Sequence, residues 1–238
     1  MFALAATLQT IGPLKARVID AAANQSIERV VVLMHGFGAP GDDLVAIAQV
    51  LPMAKGTRYV FPEAPLDLTG DGRAWWIIDW NERARYERTG DVDGYVALVP
   101  KGLAEASHAV SAMLDHIEKS WGVPADHIVL GGFSQGAMLT LDVAAHRAKK
   151  PRALVCLSGS LIATTRWLKH ADSLKGVPIF MSHGKSDPVL PYPLAERLRE
   201  TLTKAGAKVQ WAPFSGGHAI PEGTVRALAK FLDEQISH

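Results

Sequence analysis

Ile128-Val129-Leu130-Gly131-Gly132-Phe133-Ser134-Gln135-Gly136 is the stretch that decides the fold. An apolar run ends in a serine flanked two residues away on each side by glycine, and a helix-compatible segment begins at Ala137. A chain that turns this sharply from strand to helix leaves no room for side chains two residues either side of the serine, so Gly132 and Gly136 stand there. The turn is expected to hold the Ser134 hydroxyl clear of the sheet, open to a carbonyl. The pentapeptide alone is weak evidence, because a chain of this length carries it by chance roughly one time in ten. Its context has to carry the case.

That context is an alternation of strand-like and helix-like patterns. Val30-Val31-Val32-Leu33-Met34 is a continuous β-branched and aliphatic run, the mark of a strand buried on both faces. Further strands are expected over residues 58–61, 127–130, 153–157, 177–181 and 209–214. Helices are expected over 103–121, 137–148, 194–204 and 222–232, the first with Val110, Met113, Leu114 and Ile117 on one face. Such alternation predicts an α/β fold with a mostly parallel central sheet flanked by helices. There is no internal repeat, low-complexity tract or linker, so residues 1–238 are expected to form one domain. The exception to the alternation is a stretch rich in Gly, Asp, Arg and Trp over 69–98, too long for a plain connection and expected to be a functional excursion at a substrate entrance.

Bulk composition narrows the function classes. The 238 residues are 48% hydrophobic and 21% charged, with a net charge of +1, which offers nothing to attract nucleic acid or an anionic membrane surface. No apolar run reaches bilayer length, so stable membrane insertion is not expected. The start, Met1-Phe2-Ala3-Leu4-Ala5-Ala6, lacks a basic region and is soon interrupted by Thr7, Gln9 and Thr10, unlike an export signal. Cys156 is the single cysteine, in an apolar run, which excludes an intramolecular disulfide and fits a reducing, cytoplasmic setting.

In open α/β sheets ligands sit beyond the carboxyl ends of the strands, so catalytic groups should follow strand candidates. A serine hydroxyl needs a base to remove its proton. Histidine, with an ordinary pKa near 6.5, is the usual one, and a carboxylate must hold that imidazole in the right tautomer. Ser134, Asp187 and His218 each follow a strand candidate, in one of the chain orders such triads take. Each has a plainer reading: a helix-capping serine, an Asp-Pro turn at Asp187-Pro188, a loop histidine. The flanking glycines outweigh the first, and position after a strand outweighs the others. Asp172 has no strand close before it, and Asp142 lies in the helix after the turn. His108, His116 and His146 fall on helical segments, His127 and His170 at boundaries, and none has the His-Glu-x-x-His spacing of a metal site. No metal or organic cofactor is implied.

An acyl-transfer site also needs backbone N–H groups aimed at the developing oxyanion. One is expected from Gln135, at a helix N-terminus whose dipole favours negative charge. The other is expected from Phe37, in the loop His35-Gly36-Phe37-Gly38 after an early strand. His35 is expected to shape that loop rather than move protons.

With these residues in hand, the chain resembles the phospholipase/carboxylesterase family of α/β-hydrolases, whose relatives include acyl-protein thioesterases. The segments that carry the resemblance are Leu33 to Gly38, Phe61-Pro62-Glu63-Ala64-Pro65, Arg73-Ala74-Trp75-Trp76, Gly131 to Ala137, Leu157-Ser158-Gly159, His183 to Pro191 and Gly217-His218-Ala219-Ile220. The resemblance implies an α/β-hydrolase fold, the triad role for Ser134, Asp187 and His218, and the oxyanion role for Phe37 and Gln135. Departures fall where the family builds its entrance: Pro40-Gly41-Asp42-Asp43, a longer and more charged stretch over 77–99, and Ser160-Leu161-Ile162 in place of a proline-containing turn.

These residues point to a serine carboxylesterase acting on a small acyl ester of short to medium chain through an acyl-enzyme. A thioesterase or lysophospholipase would use the same groups, and a binding protein that keeps the fold without catalysis is a remote alternative. Trp76, with Leu161 and Ile162, is expected to wall the acyl slot, while Trp80 reads as core. The charges from Glu82 to Arg88 read as a solvated face with local ion pairs. An exposed apolar entrance can double as a contact surface, which leaves a homodimer open.

Overall fold

The computed structural model describes residues 6–20, 26–52 and 54–236. The first five residues, on which the reading of the amino terminus partly rests, lie outside the described residues. The strands are β1 (Thr7–Ile11), β2 (Leu14–Asp20), β3 (Arg29–Met34), β4 (Thr57–Pro62), β5 (Leu66–Asp67), β6 (Arg73–Ala74), β7 (Ile128–Phe133), β8 (Ala153–Leu157), β9 (Pro178–Ser182) and β10 (Lys208–Trp211). The α-helices are α1 (Trp80–Thr89), α2 (Val92–Ala97), α3 (Leu103–Ser120), α4 (Gln135–His146), α5 (Thr164–Trp167), α6 (Tyr192–Lys204) and α7 (Glu222–Ile236). Eight strands form one sheet in the order β1-β2-β4-β3-β7-β8-β9-β10, with β5 and β6 as a separate ribbon. From β4 to β10 all neighbours are parallel, and β1 and β2 add an antiparallel edge. This is the α/β-hydrolase architecture expected.

The strands that read as solid apolar runs are buried on both faces because helices cover both. Val30, Val32 and Met34 pack with one face of α3 (Val110, Met113, Leu114, Ile117) and with α4 (Ala137, Leu141, Ala144). Val31 and Leu33, alternate residues of the same strand, pack with Leu228, Phe231, Leu232 and Ile236 of α7. Period two on the strand meets period 3.6 on the helices, and each large side chain buried this way contributes about 1.5–3 kcal/mol.

The structure corrects the sequence reading at both sheet edges. β1 and β2 were not foreseen. In β2 Leu14, Ala16 and Val18 are buried on one face and Ile19 on the other, while Lys15 is exposed and Arg17 half-buried, and β1 is mostly exposed. The last strand, expected to run to residue 214, ends at Trp211, and Phe214 instead makes an isolated bridge to Gly184. The excursion after residue 69 contains α1 and α2. No residue of α1 is buried, and Arg83–Glu87 and Arg85–Glu82 pairs run along it, as expected of a solvated face.

Candidate active site

The turn between β7 and α4 has the constraint its glycines implied. A Cβ on Gly132 would lie 2.5 Å from the Met34 carbonyl oxygen, and one on Gly136 2.2 Å from the same atom. Ser134 between them has φ +54° and ψ −114°, a backbone region L-residues rarely enter, at a cost of about 1–3 kcal/mol. Its side chain makes no helix-capping bond, so the capping role is not the one it has here. Contrary to the expectation of an open hydroxyl, Ser134 is only 9% exposed. Gly36 runs against its Cβ, and the His218 ring covers its oxygen.

The structure brings Ser134, Asp187 and His218 together from the carboxyl ends of β7, β9 and β10. His218 Nε2 is 2.9 Å from Ser134 Oγ, and His218 Nδ1 is 2.7 Å from Asp187 Oδ2. An ionised carboxylate can only accept, so Nδ1 carries the proton and Nε2 faces the hydroxyl as an acceptor. Phe133 supports the imidazole, its ring centroid 4.8 Å from that of His218. The two loops that deliver Asp187 and His218 are zipped to one another. Phe214 N–H donates to His183 O, Lys185 N–H to Phe214 O and Ser186 N–H to Gly216 O. The Asp187 side chain is fully buried, and its Oδ1 accepts from the N–H groups of Val189 and Leu190 at 2.8 and 2.9 Å. Asp142, the rival carboxylate, is buried elsewhere in a two-point pair with Arg166.

The loop with Phe37 is fixed from several directions. Gly38 N–H donates to Arg73 O, and Arg73 N–H to Ala39 O. His35 donates from Nδ1 to Gly36 O at 2.7 Å, while its Nε2 accepts from Ala64 N–H at 3.0 Å. These partners require the neutral imidazole and give His35 the loop-shaping position expected of it. The Gln135 side chain, which sequence reasoning passed over, clamps this assembly to the start of α4. Its Oε1 accepts from Trp75 N–H at 2.9 Å, and its Nε2 donates to Trp76 O at 2.8 Å. His183 was also missed. Wholly buried, it lies 3.3 Å from Asp187 Oδ2 and 2.9 Å from Leu190 O.

Burial holds both His35 and His183 below the ordinary histidine pKa. In the unfolded chain each protonates near about pH 6.5, in the folded protein only at lower pH. The unfolded state therefore gains protons first on acidification. Stability from these groups is complete above the unfolded value and is lost as pH falls below it. The thermal midpoint is expected to drop between about pH 7.5 and pH 5, with a shallower slope when either histidine is replaced by glutamine. Asp43 beside His35, raised by burial, acts in the opposite sense. A flat midpoint would show that the histidines are not held neutral.

The residues expected to wall an acyl slot are placed differently from the sequence reading. Trp76 is 3% exposed and belongs to the core, as does Leu161, with Ile162 packed against it. Trp80, read as core, is 57% exposed, because α1 stands off the body of the protein. A groove of about 480 Å³ runs between α1 and the loop after Asp187, lined by Trp80, Arg83, Ala84, Glu87, Pro188 and Val189. Trp76, Leu161 and Ile162 do not line it. Trp80 meets Phe37 edge-on at 6.3 Å, and Arg83 donates to Val189 O at 2.9 Å, so α1 bridges the Phe37 loop and the Asp187 loop. Among the described residues no group of three or more His, Cys, Asp or Glu is placed to hold a metal ion, and no helix is long and apolar enough to cross a membrane.

Over residues 15–236 the chain matches the family described as phospholipase/carboxylesterase. Acyl-protein thioesterase 1 of Neurospora crassa is 34% identical over 218 residues, covering 87% of this chain and 86% of the relative. The Saccharomyces cerevisiae protein of the same name is 31% identical over 234 residues, covering 91% and 97%. The crystal structure of an esterase, PE8, aligns with a TM-score of 0.78 at 25% identity over 93% of this chain and 99% of its own. A carboxylesterase from Mesorhizobium loti aligns at 0.76 and 21% identity over 95% and 98%, a likeness of fold.

Proposed function

From the premise that the chain belongs to the phospholipase/carboxylesterase family of hydrolases, we propose that it is a serine carboxylesterase acting on short- to medium-chain acyl esters. The observation that carries this reading is the unbroken hydrogen-bond relay from Ser134 Oγ through His218 to Asp187. Ser134 Oγ attacks the ester carbonyl as its proton passes to His218 Nε2. Asp187 steadies the imidazolium. The backbone N–H groups of Gln135 and Phe37 receive the oxyanion, the first strengthened by the amino end of α4. His218 then returns the proton to the departing alkoxide, and the acyl group remains on Ser134. Water, deprotonated by the same histidine, releases the acid and restores the serine.

Residues 69–98 form the substrate entrance in this reading, with the groove under α1 taking one end of the ester. Its exposed apolar members, Trp80 and Val189, suit a chain of modest length, and the pair Arg83–Glu87 offers it no unpaired charge. A thioesterase is the second reading, favoured by the two relatives named as acyl-protein thioesterases. The chemistry of attack is the same, so substrates must decide. Turnover of p-nitrophenyl esters of increasing chain length is expected to peak at short to medium acyl groups. Thioesters of matched chain length hydrolysed more than tenfold faster would favour the second reading. No turnover of either, by folded protein, would point to binding without catalysis.

A further inference from the structure

Asp187 is held by more than its own loop and His218. His183, the first residue after β9, comes close to the same carboxylate oxygen that His218 uses. Its Nε2 lies 3.3 Å from Asp187 Oδ2 and 2.9 Å from Leu190 O. A carbonyl oxygen and a carboxylate can only accept, so Nε2 carries a proton, donated to Leu190 O with Asp187 Oδ2 close beside it. Both the His183 and Asp187 side chains are fully buried. The titratable groups around His183 are Asp187 four residues on, His218 from the loop after β10, and Tyr192 at the start of α6, its ring 6.1 Å away, with the backbone of Gly159 and Leu190 also against the imidazole.

We propose that His183 is a positioning residue for the reaction. It places a buried, uncharged N–H 3.3 Å from Oδ2, beside the three hydrogen bonds that fix the carboxylate toward His218. This role rests on the triad reading given above. The absence of charge matters. A cation at this place would compete with the His218 imidazolium for Asp187 when that imidazolium forms, whereas a neutral N–H orients the carboxylate and leaves its charge to His218. Burial keeps His183 in that neutral form. The bond to Leu190 O ties the donor to the same turn whose N–H groups hold Oδ1, so carboxylate and donor move as one piece.

The test compares His183→Leu, His183→Asn and His183→Gln. Glutamine can carry an N–H to the place of Nε2; asparagine and leucine cannot. With active serines counted by titration with an organophosphonate, the leucine variant is expected to lose about tenfold in kcat with KM within twofold, the size of one hydrogen bond to a charged group. The acidic limb of its pH profile moves to higher pH, because more of the Asp187 charge is left to the imidazolium. Asparagine behaves like leucine and decides the matter if leucine does not fold. Glutamine restores both kcat and the limb. Wild-type kcat and pH profile in a folded leucine or asparagine variant overturn the role, as does failure of glutamine to rescue. If the wild-type protein hydrolyses no ester or thioester, the hydrolase reading fails separately, and the proton resonance of His218 Nδ1–H decides the positioning role. A resonance displaced by asparagine or leucine and returned by glutamine supports it. A resonance unmoved by any of the three overturns it.

Discussion

Replacing Ser134 by alanine is expected to lower kcat toward acyl esters by about a millionfold while leaving the fold in place. The loss is large because, among the described residues, Ser134 supplies the hydroxyl hydrogen-bonded to His218 Nε2. What survives is whatever water can do beside the Gln135 and Phe37 N–H groups, about a thousandfold over solution. The fold survives because alanine and serine share the Cβ that makes φ +54° costly, so the strain of the turn is the same in both. The hydrogen bond lost to His218 contributes about 1 kcal/mol, which for a domain of this size is about 2–4 °C in the thermal midpoint. The measurements are kcat by initial rates, a thermal melt, and mass-spectrometric detection of an organophosphonate adduct, present in the wild type and absent in the variant. Turnover near the wild-type rate in a folded Ser134→Ala protein would remove Ser134 from the chemistry.

How much of this was legible in the sequence depends on how local the cause is. The elbow is legible because its constraint is local: Gly132 and Gly136 exist to let the chain pass Met34 O at a distance no side chain allows. Central strands such as Val30 to Met34 are legible because burial on both faces writes an unbroken apolar run. In β2 Leu14, Ala16 and Val18 are diluted by the charged Lys15 and Arg17 between them, so no unbroken apolar run marks the strand. Trp80 was misread because a tryptophan's preference for burial says nothing about whether its helix has anything to lie against, and α1 is polar on nearly every side. Trp76 erred the other way, its aromatic ring drawn into the core under the Gln135 clamp. The contributions of Gln135 and His183 were the least legible. The Gln135 amide is matched to backbone sixty residues earlier, and His183 comes close to Asp187, four residues on, in a loop also bonded to the His218 loop. Residue identity alone cannot announce partners chosen by tertiary geometry.

Asp187→Asn is expected to cost about four orders of magnitude in kcat, and the reason lies in the donors around the carboxylate. Oδ1 accepts from two backbone N–H groups, those of Val189 and Leu190. These donors cannot rotate away or change protonation, so the amide oxygen of asparagine must face them. The amide NH₂ then occupies the place of Oδ2, 2.7 Å from His218 Nδ1. Two N–H groups cannot share that line. The imidazole relieves the conflict by moving its proton to Nε2, which leaves Nδ1 as the acceptor. Nε2 now donates to Ser134 Oγ instead of accepting from it, and the serine keeps its proton. The geometry is almost unchanged and the base is lost. Stability changes little by comparison, because His183 keeps its bond to Leu190 O and the new amide is satisfied by three of its neighbours. The expected result is therefore a variant that melts close to the wild type, reacts with an organophosphonate slower by a factor similar to its loss in kcat, and lacks the Nδ1–H resonance of His218. A loss of less than tenfold, with that resonance retained, would mean that Asp187 does not set the tautomer of His218, and the carboxylate would then be structural.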